Sequence, residues 1–72
     1  MIEVTITNAA ADEYNVIQIP GSDLSYVYTN YEVGVAGELN VFDKFIHGPT
    51  KTLRITFAPG TWSQVENKPE SD

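Results

Sequence analysis

Lys51-Thr52-Leu53-Arg54-Ile55-Thr56-Phe57 alternates polar and apolar residues along seven consecutive positions. Successive side chains of a β-strand point to opposite faces, so this alternation predicts a half-buried strand. The expected inward residues are Leu53, Ile55 and Phe57, and the expected solvent-facing residues are Thr52, Arg54 and Thr56. The turn-forming sequence Ala58-Pro59-Gly60 follows and should end the strand.

Three more segments have a β-favouring composition. Residues 2–7 alternate apolar and polar side chains, and residues 14–19 form a β-branched run that stops at Pro20-Gly21. Residues 24–36 are rich in Tyr and Val, and we expect Thr29-Asn30 to fold them into a hairpin because Asn tolerates positive φ.

Residues 38–47 fit two structures. A helix is indicated by Glu38 in the first turn, by Lys44 and His47 in the last, and by the Gly48-Pro49 stop signal. A strand is indicated by residues such as Asn, Val, Phe and Ile, which are poor helix formers. We favour one short helix and keep the strand as the alternative.

Turn signals every 8–12 residues predict a mainly β protein, a small antiparallel sandwich or partly open barrel of about five short strands. A helix near 38–47 would make it α+β. We expect residues 1–66 to form a single β-rich domain and residues 67–72 to form a frayed acidic tail.

The chain has 72 residues, a length at which packing alone seldom provides more than roughly 3–5 kcal/mol. There is no cysteine to form a disulfide, and His47 is the only imidazole available to a zinc ion. We therefore expect no metal and no cofactor, and we expect stability to come from packing or from association with another protein or with copies of itself.

The charge is distributed unevenly. The net charge is −6, and all four basic residues lie in the last 29 positions. Affinity for nucleic acid depends on Lys and Arg clusters, so direct nucleic-acid binding is disfavoured although five aromatic residues offer stacking surfaces: Tyr14, Tyr26, Tyr28, Tyr31 and Phe42.

The N-terminal residues Met1-Ile2-Glu3-Val4 lack the basic start and apolar run of a signal peptide. No apolar stretch approaches the roughly 20 residues that span a bilayer. We expect a soluble, non-membrane protein that is intracellular or virion-associated.

Catalysis has one candidate pair. His47 lies four residues after Asp43, so a helix would bring these two side chains together. Such a pair is more typical of an ion pair near a helix C-terminus than of a catalytic site. A ligand-binding or cation-binding domain, or a minor enzyme that uses His47 and Asp43, is the alternative function.

The favoured function is a non-enzymatic protein-interaction protein. Tyrosines are enriched at interfaces, and the predicted interaction surface consists of Asp23, Tyr26, Tyr28, Tyr31 and Glu32. On a strand Tyr26 and Tyr28 share one face and Val27 the other, and the alternation does not decide which face is buried. Two roles fit this surface: a structural or accessory subunit of a larger assembly, such as a viral particle, and an acidic inhibitor of a basic, nucleic-acid-binding target.

Overall fold

The alternating segments form six antiparallel strands in two three-stranded sheets. The computed structural model describes residues 1–8 and 13–69, and of Asn8, Glu13 and Tyr14 it describes the backbone alone. The strands are β1 (Ile2–Asn8), β2 (Glu13–Ile19), β3 (Val27–Val33), β4 (Leu39–Phe45), β5 (Lys51–Phe57) and β6 (Trp62–Asn67). One sheet has the order β2-β1-β6 and the other β3-β4-β5. The predicted mainly β class is confirmed, and the arrangement is that of a small sandwich.

The core lies between the two sheets. Ile2 and Val4 of β1 are fully buried, and so are Leu39 and Val41 of β4, the central strand of the other sheet. Ile19 and Phe57 complete the buried cluster, and four partly buried side chains pack against it: Ile6, Tyr31, Trp62 and Val65. Odd-numbered residues of β4 and even-numbered residues of β1 therefore face inward.

Polar contacts join the sheets on both sides of this core. Arg54 of β5 donates from Nη1 to the carbonyl oxygen of Pro20, which follows β2. On the other side Asn67 of β6 donates from Nδ2 to Oδ1 of Asn30 on β3, at 3.3 Å. Strand β5 thus lies opposite the end of β2, and β6 lies opposite β3.

The helix prediction for residues 38–47 is wrong, and the strand alternative is correct. Leu39–Phe45 pairs along its length with β3 on one side and β5 on the other. In a helix the backbone N–H and C=O groups would bond to each other, whereas here they form hydrogen bonds to two neighbouring strands. The residues of this segment are also poor helix formers, which disfavours the helix. The Gly48-Pro49 stop signal ends a strand as well as it ends a helix.

The predicted hairpin at Thr29-Asn30 is also wrong. Both residues lie in the middle of β3, which pairs with β4 without interruption from Val27 to Val33. The β3–β4 turn follows instead, where the amide of Gly34 donates to the carbonyl of Glu38 at 2.9 Å. Two seven-residue strands in full register outweigh the weak turn preference of an isolated Asn.

Strand β5 lies where it was predicted, but Leu53 and Arg54 do not point as predicted. The pairing of β4 with β5 shifts between Val41 and Phe42, so that Ile55 is opposite Val41 and Leu53 is opposite Phe42. This β-bulge makes Arg54 the extra residue and turns Leu53 to the outer face. Arg54 lies against Asp43 and Pro20 and is not a freely solvated side chain.

The C-terminal part of the described chain continues the pairing of β6 with β1. Met1 donates its terminal amine to the carbonyl oxygen of Lys68, and the amide of Lys68 donates to the carbonyl oxygen of Met1, both at 2.8 Å. Asn67 and Lys68 of the predicted tail are thus hydrogen-bonded. Residues 70–72 lie outside the described part of the chain.

Candidate protein-interaction surface

Two stacked aromatic rings lie at one end of the β3-β4-β5 sheet. The rings of Tyr26 and Phe45 are 5.8 Å apart between centroids and 2° from parallel. Tyr26 is 51% exposed and Phe45 is 45% exposed. Leu24 and Ile46 are about equally exposed beside them, and we call Leu24, Tyr26, Phe45 and Ile46 the aromatic surface.

The backbone holds these four residues in place. The amide of Ile46 donates to the carbonyl oxygen of Tyr26 at 3.0 Å, extending the β3–β4 ladder past Val27. The amide of Val27 donates to the carbonyl oxygen of Leu24 at 3.1 Å, and the amide of Leu24 donates to Oγ of Ser22 at 3.1 Å. These hydrogen bonds therefore hold the backbone of the aromatic surface in one conformation.

A shallow cleft of about 190 Å³ opens beside the stacked rings. Leu24, Val27 and Phe45 give it apolar walls, and Ser22, Asp43, Lys44 and Thr52 line the rest. Small-molecule sites are larger, about 300–1,000 Å³. The cleft is therefore smaller than a typical small-molecule site, and it is apolar on the side of Leu24, Val27 and Phe45.

The predicted tyrosines lie in three different environments. Tyr26 stacks on Phe45, whereas Tyr28 lies under the ammonium group of Lys44, 5.8 Å from its ring centroid. Residues 44 and 45 are neighbours in β4, so their side chains point to opposite faces. Tyr31 is partly buried and packs against the core. Val27 is less exposed than either Tyr26 or Tyr28, which leaves both of these tyrosines accessible.

The two acidic members of the predicted surface also differ. Glu32 is paired with Lys51, whose Nζ lies 3.2 Å from its Oε1. Asp23 is exposed, directly precedes Leu24, and forms no ion pair within the described residues. Among the described residues, Asp23 is therefore an acidic side chain without an ion pair that directly precedes the aromatic surface in sequence.

Part of the acidic charge is neutralised by ion pairs within the fold. Four of the ten acidic residues lie in ion pairs with Lys51, Arg54 or Lys68, and they are Glu3, Glu32, Asp43 and Glu66. Among the others, the structure describes the side chains of Asp23 and Glu38. The described surface thus carries separate acidic groups and no broad acidic field.

One of these pairs shifts the ionisation of both partners. Nζ of Lys68 lies 3.0 Å from Oε1 of Glu3, and Gln18 donates to Oε2 of the same carboxylate. The hydrogen bond from Lys68, aided by the one from Gln18, holds the pKa of Glu3 below its usual 4.5. The same contact with Glu3 raises the pKa of Lys68 above 10.5.

The structure separates His47 from Asp43. Because β4 ends at Phe45, His47 lies exposed in the following turn. Asp43 lies within the sheet, accepts a hydrogen bond from Oγ1 of Thr29 at 2.6 Å, and lies 3.7 Å from Nη1 of Arg54. The predicted helical contact between His47 and Asp43 does not form, because a strand does not bring residues i and i+4 together.

A second, larger cleft of about 330 Å³ lies where Met1 and residues 67–69 approach β3. Its walls include Met1, Tyr28, Thr29 and Lys68, and the ammonium group of Lys68 is held by Glu3. No acid–base pair converges on this cleft among its described lining residues. No cluster of three or more potential metal ligands occurs among residues 1–8 and 13–69.

Comparisons with known protein families, with curated proteins and with solved structures found no match. No helix in the described part of the chain is long and apolar enough to cross a membrane.

Three members of the aromatic surface, Leu24, Phe45 and Ile46, were missed by the sequence-based prediction. Phe45 lies within residues 38–47, for which the short helix was favoured. The apolar residues Leu39, Val41 and Phe45 occupy odd-numbered positions, and this alternation was the available signal for a strand. In that strand Leu39 and Val41 are buried, whereas Phe45 lies past the end of the core.

Proposed function

We propose that this chain is a non-catalytic protein-interaction module, a structural or accessory subunit that attaches to a larger assembly through the aromatic surface. The observation that supports the proposal most directly is the stacked pair of Tyr26 and Phe45, each about half exposed on a hydrogen-bonded backbone. Exposed aromatic residues on a rigid support are typical binding hot spots.

The balance of apolar side chains agrees with this proposal. Among the described residues, seven hydrophobic side chains are buried, whereas eleven large ones are exposed. A 72-residue domain with so small a core gains stability when a partner covers part of its exposed surface.

The chemistry of the partner follows from the surface. The cleft beside Phe45 has room for one apolar side chain, and the exposed residue Asp23 directly precedes Leu24, which forms one of its walls. We therefore propose a protein partner with an apolar anchor residue and a nearby Lys or Arg.

The role of acidic inhibitor has less support. Such an inhibitor presents clustered negative charge to a basic groove, whereas Glu3, Glu32 and Asp43 are held by cations of this chain. An apolar contact also differs from a charge-based contact in its response to salt, because salt screens exposed charges beyond about 10 Å at 0.1 M.

The experiment uses a photo-crosslinking amino acid at position 26, compared with the same amino acid at position 28, in the protein isolated with its partner. We expect the label at 26 to join the chain to one stoichiometric partner and the label at 28 to do so far less. Tyr26→Ser should then weaken that complex about thirtyfold, since hot-spot truncations cost roughly 2 kcal/mol or more. Tyr28→Ser is the matched control.

Salt provides the second arm of the experiment. The complex should persist as salt rises. If Tyr26→Ser and Tyr28→Ser bind equally well and high salt dissociates the complex, the aromatic surface is not the binding site and the acidic inhibitor role is favoured.

A further inference from the structure

Within residues 1–8 and 13–69, strand β2 has an unpaired edge. It lies at the end of the sheet order β2-β1-β6, and no described strand pairs with its outer side. Its pairing with β1 runs from Ile2 opposite Ile19 to Asn8 opposite Glu13 without a register shift. The outer backbone groups of a regular, seven-residue strand are therefore available for pairing.

The other edge strands carry features that hinder pairing. Strand β5 has a bulge at Arg54 and a second cation at Lys51. On the opposite side of the sandwich β3 and β6 are joined by the contact of Asn30 with Asn67, and the pairing of β6 with β1 contains a register shift. From Asn15 to Ile19, by contrast, β2 contains no charge, proline, glycine or bulge. Charges, prolines and bulges are devices by which proteins protect edge strands, and residues 15–19 of β2 have none of them.

Two apolar side chains are exposed on this edge strand. Val16 is 59% exposed and Ile17 is 40% exposed. They are neighbours in the strand and point to opposite faces of the sheet. A further strand added beside β2 would cover both.

We propose that β2 pairs antiparallel with β2 of a second copy of this chain, joining two three-stranded sheets into one of six strands. A two-fold axis lets each copy cover the unpaired edge of the other, so that both edges are satisfied at once. Antiparallel pairing about Val16 places this residue opposite Val16 of the second copy and keeps core-side residues opposite core-side residues, so the two cores continue into each other. No like charges face each other between Asn15 and Ile19.

This contact is separate from the proposed binding through the aromatic surface, which belongs to the other sheet. The stability of the β2–β2 dimer should also depend on salt in a characteristic way. Each chain carries a net charge of −6, so the two copies repel each other at long range. Added salt screens this repulsion and should strengthen the dimer, whereas it would weaken binding of a basic partner.

The experiment measures the mass of the chain by light scattering across a range of concentrations. The wild-type mass should rise from 8.0 kDa to twice that value as concentration increases, and at lower concentration when salt is added. Val16→Lys should stay monomeric because it places two cations beside each other at the paired edge. Leu53→Lys is the matched control, since Leu53 is also 59% exposed but lies on β5, and it should still dimerise.

Cysteine variants provide a second measurement, which is valid even if the fold does not tolerate a lysine at position 16. The wild-type chain has no cysteine, and neighbouring strands hold facing Cβ atoms about 5 Å apart. Oxidised Val16→Cys should therefore give covalent dimers in much higher yield than oxidised Leu53→Cys. A wild-type chain that stays monomeric at every concentration overturns the proposal, and so does equal crosslinking of the two cysteine variants.

Discussion

Trp62 donates its indole Nε1 to the carbonyl oxygen of Gly37 at 3.2 Å, and this bond joins β6 to the β3–β4 turn across the sandwich. The donor is part-buried, and the Trp62 ring packs against the buried cluster. The acceptor belongs to a glycine with φ of +90°, a conformation that other residues adopt at a cost. One contact thus links the single tryptophan, the turn and the core.

Replacing Trp62 with Phe should destabilise the domain. The hydrogen bond to Gly37 contributes about 1 kcal/mol, and the smaller ring leaves part of the core boundary unfilled. Urea unfolding followed by circular dichroism should show a lower midpoint. Tyr28→Phe, which changes an exposed ring on the outer face, is the control and should leave the midpoint nearly unchanged. Equal midpoints for both variants would mean that the Trp62 contact does not stabilise the fold.

Two leucines in the same sheet should respond very differently to truncation. Leu39 is fully buried, whereas Leu53 is 59% exposed. We expect Leu39→Ala to lower the free energy of unfolding by about 2–5 kcal/mol, which is comparable to the entire stability of so small a domain. Leu53→Ala should lower it by about 0.5 kcal/mol or less. Calorimetry or urea titration measures both. A large loss for Leu53→Ala would show that Leu53 is covered in solution.

The two glycines of the β3–β4 turn should also differ. At Gly37 the positive φ makes alanine unfavourable by about 1–2 kcal/mol. At Gly34 an added Cβ would meet the carboxylate end of Glu38, which can swing out to solvent. This movement would also release Oε2 of Glu38, which is buried without a hydrogen-bond partner. Gly37→Ala should therefore lower the thermal midpoint clearly, and Gly34→Ala should change it little.

The Glu3–Lys68 pair gives stability a defined dependence on pH. The pKa of Glu3 is lower in the folded chain than its usual 4.5, so the unfolded chain binds the proton more tightly. The contribution of the pair is fully present above pH 4.5 and is lost as the pH falls through the folded pKa. Because the pKa of Lys68 is raised, its own contribution is lost only above pH 10.5.

Glu3→Gln should therefore be less stable than the wild type at pH 7, and the difference should disappear in acid. Urea midpoints at pH 7 and at pH 3 measure this change. The expected effect is small because Lys68 is 47% exposed and solvent screens its attraction to Glu3. Ser63→Ala, a substitution at an exposed position of β6 with no part in this pair, is the control and should give a pH-independent difference.

Local patterns predicted the existence of strands better than the direction of their side chains. The strand Lys51–Phe57 was predicted from its alternation, yet Leu53 points outward because of the bulge at Arg54. The bulge arises from the pairing of β5 with β4, so it cannot be predicted from the alternation of residues within β5 alone. The same limit hid the aromatic surface, since Phe45 is exposed only because the core ends before it.

The sequence by itself determined the β-rich class, the positions of β1, β2 and β5, and the lack of cysteine and of clustered bases. These follow from composition and from a period of two, which are local properties. Only the tertiary structure decided that residues 39–45 form a strand, that His47 and Asp43 are apart, and that Tyr26 stacks on Phe45. The physical reason is that hydrogen bonds between strands come from distant parts of the chain, and they outweigh local start and stop signals.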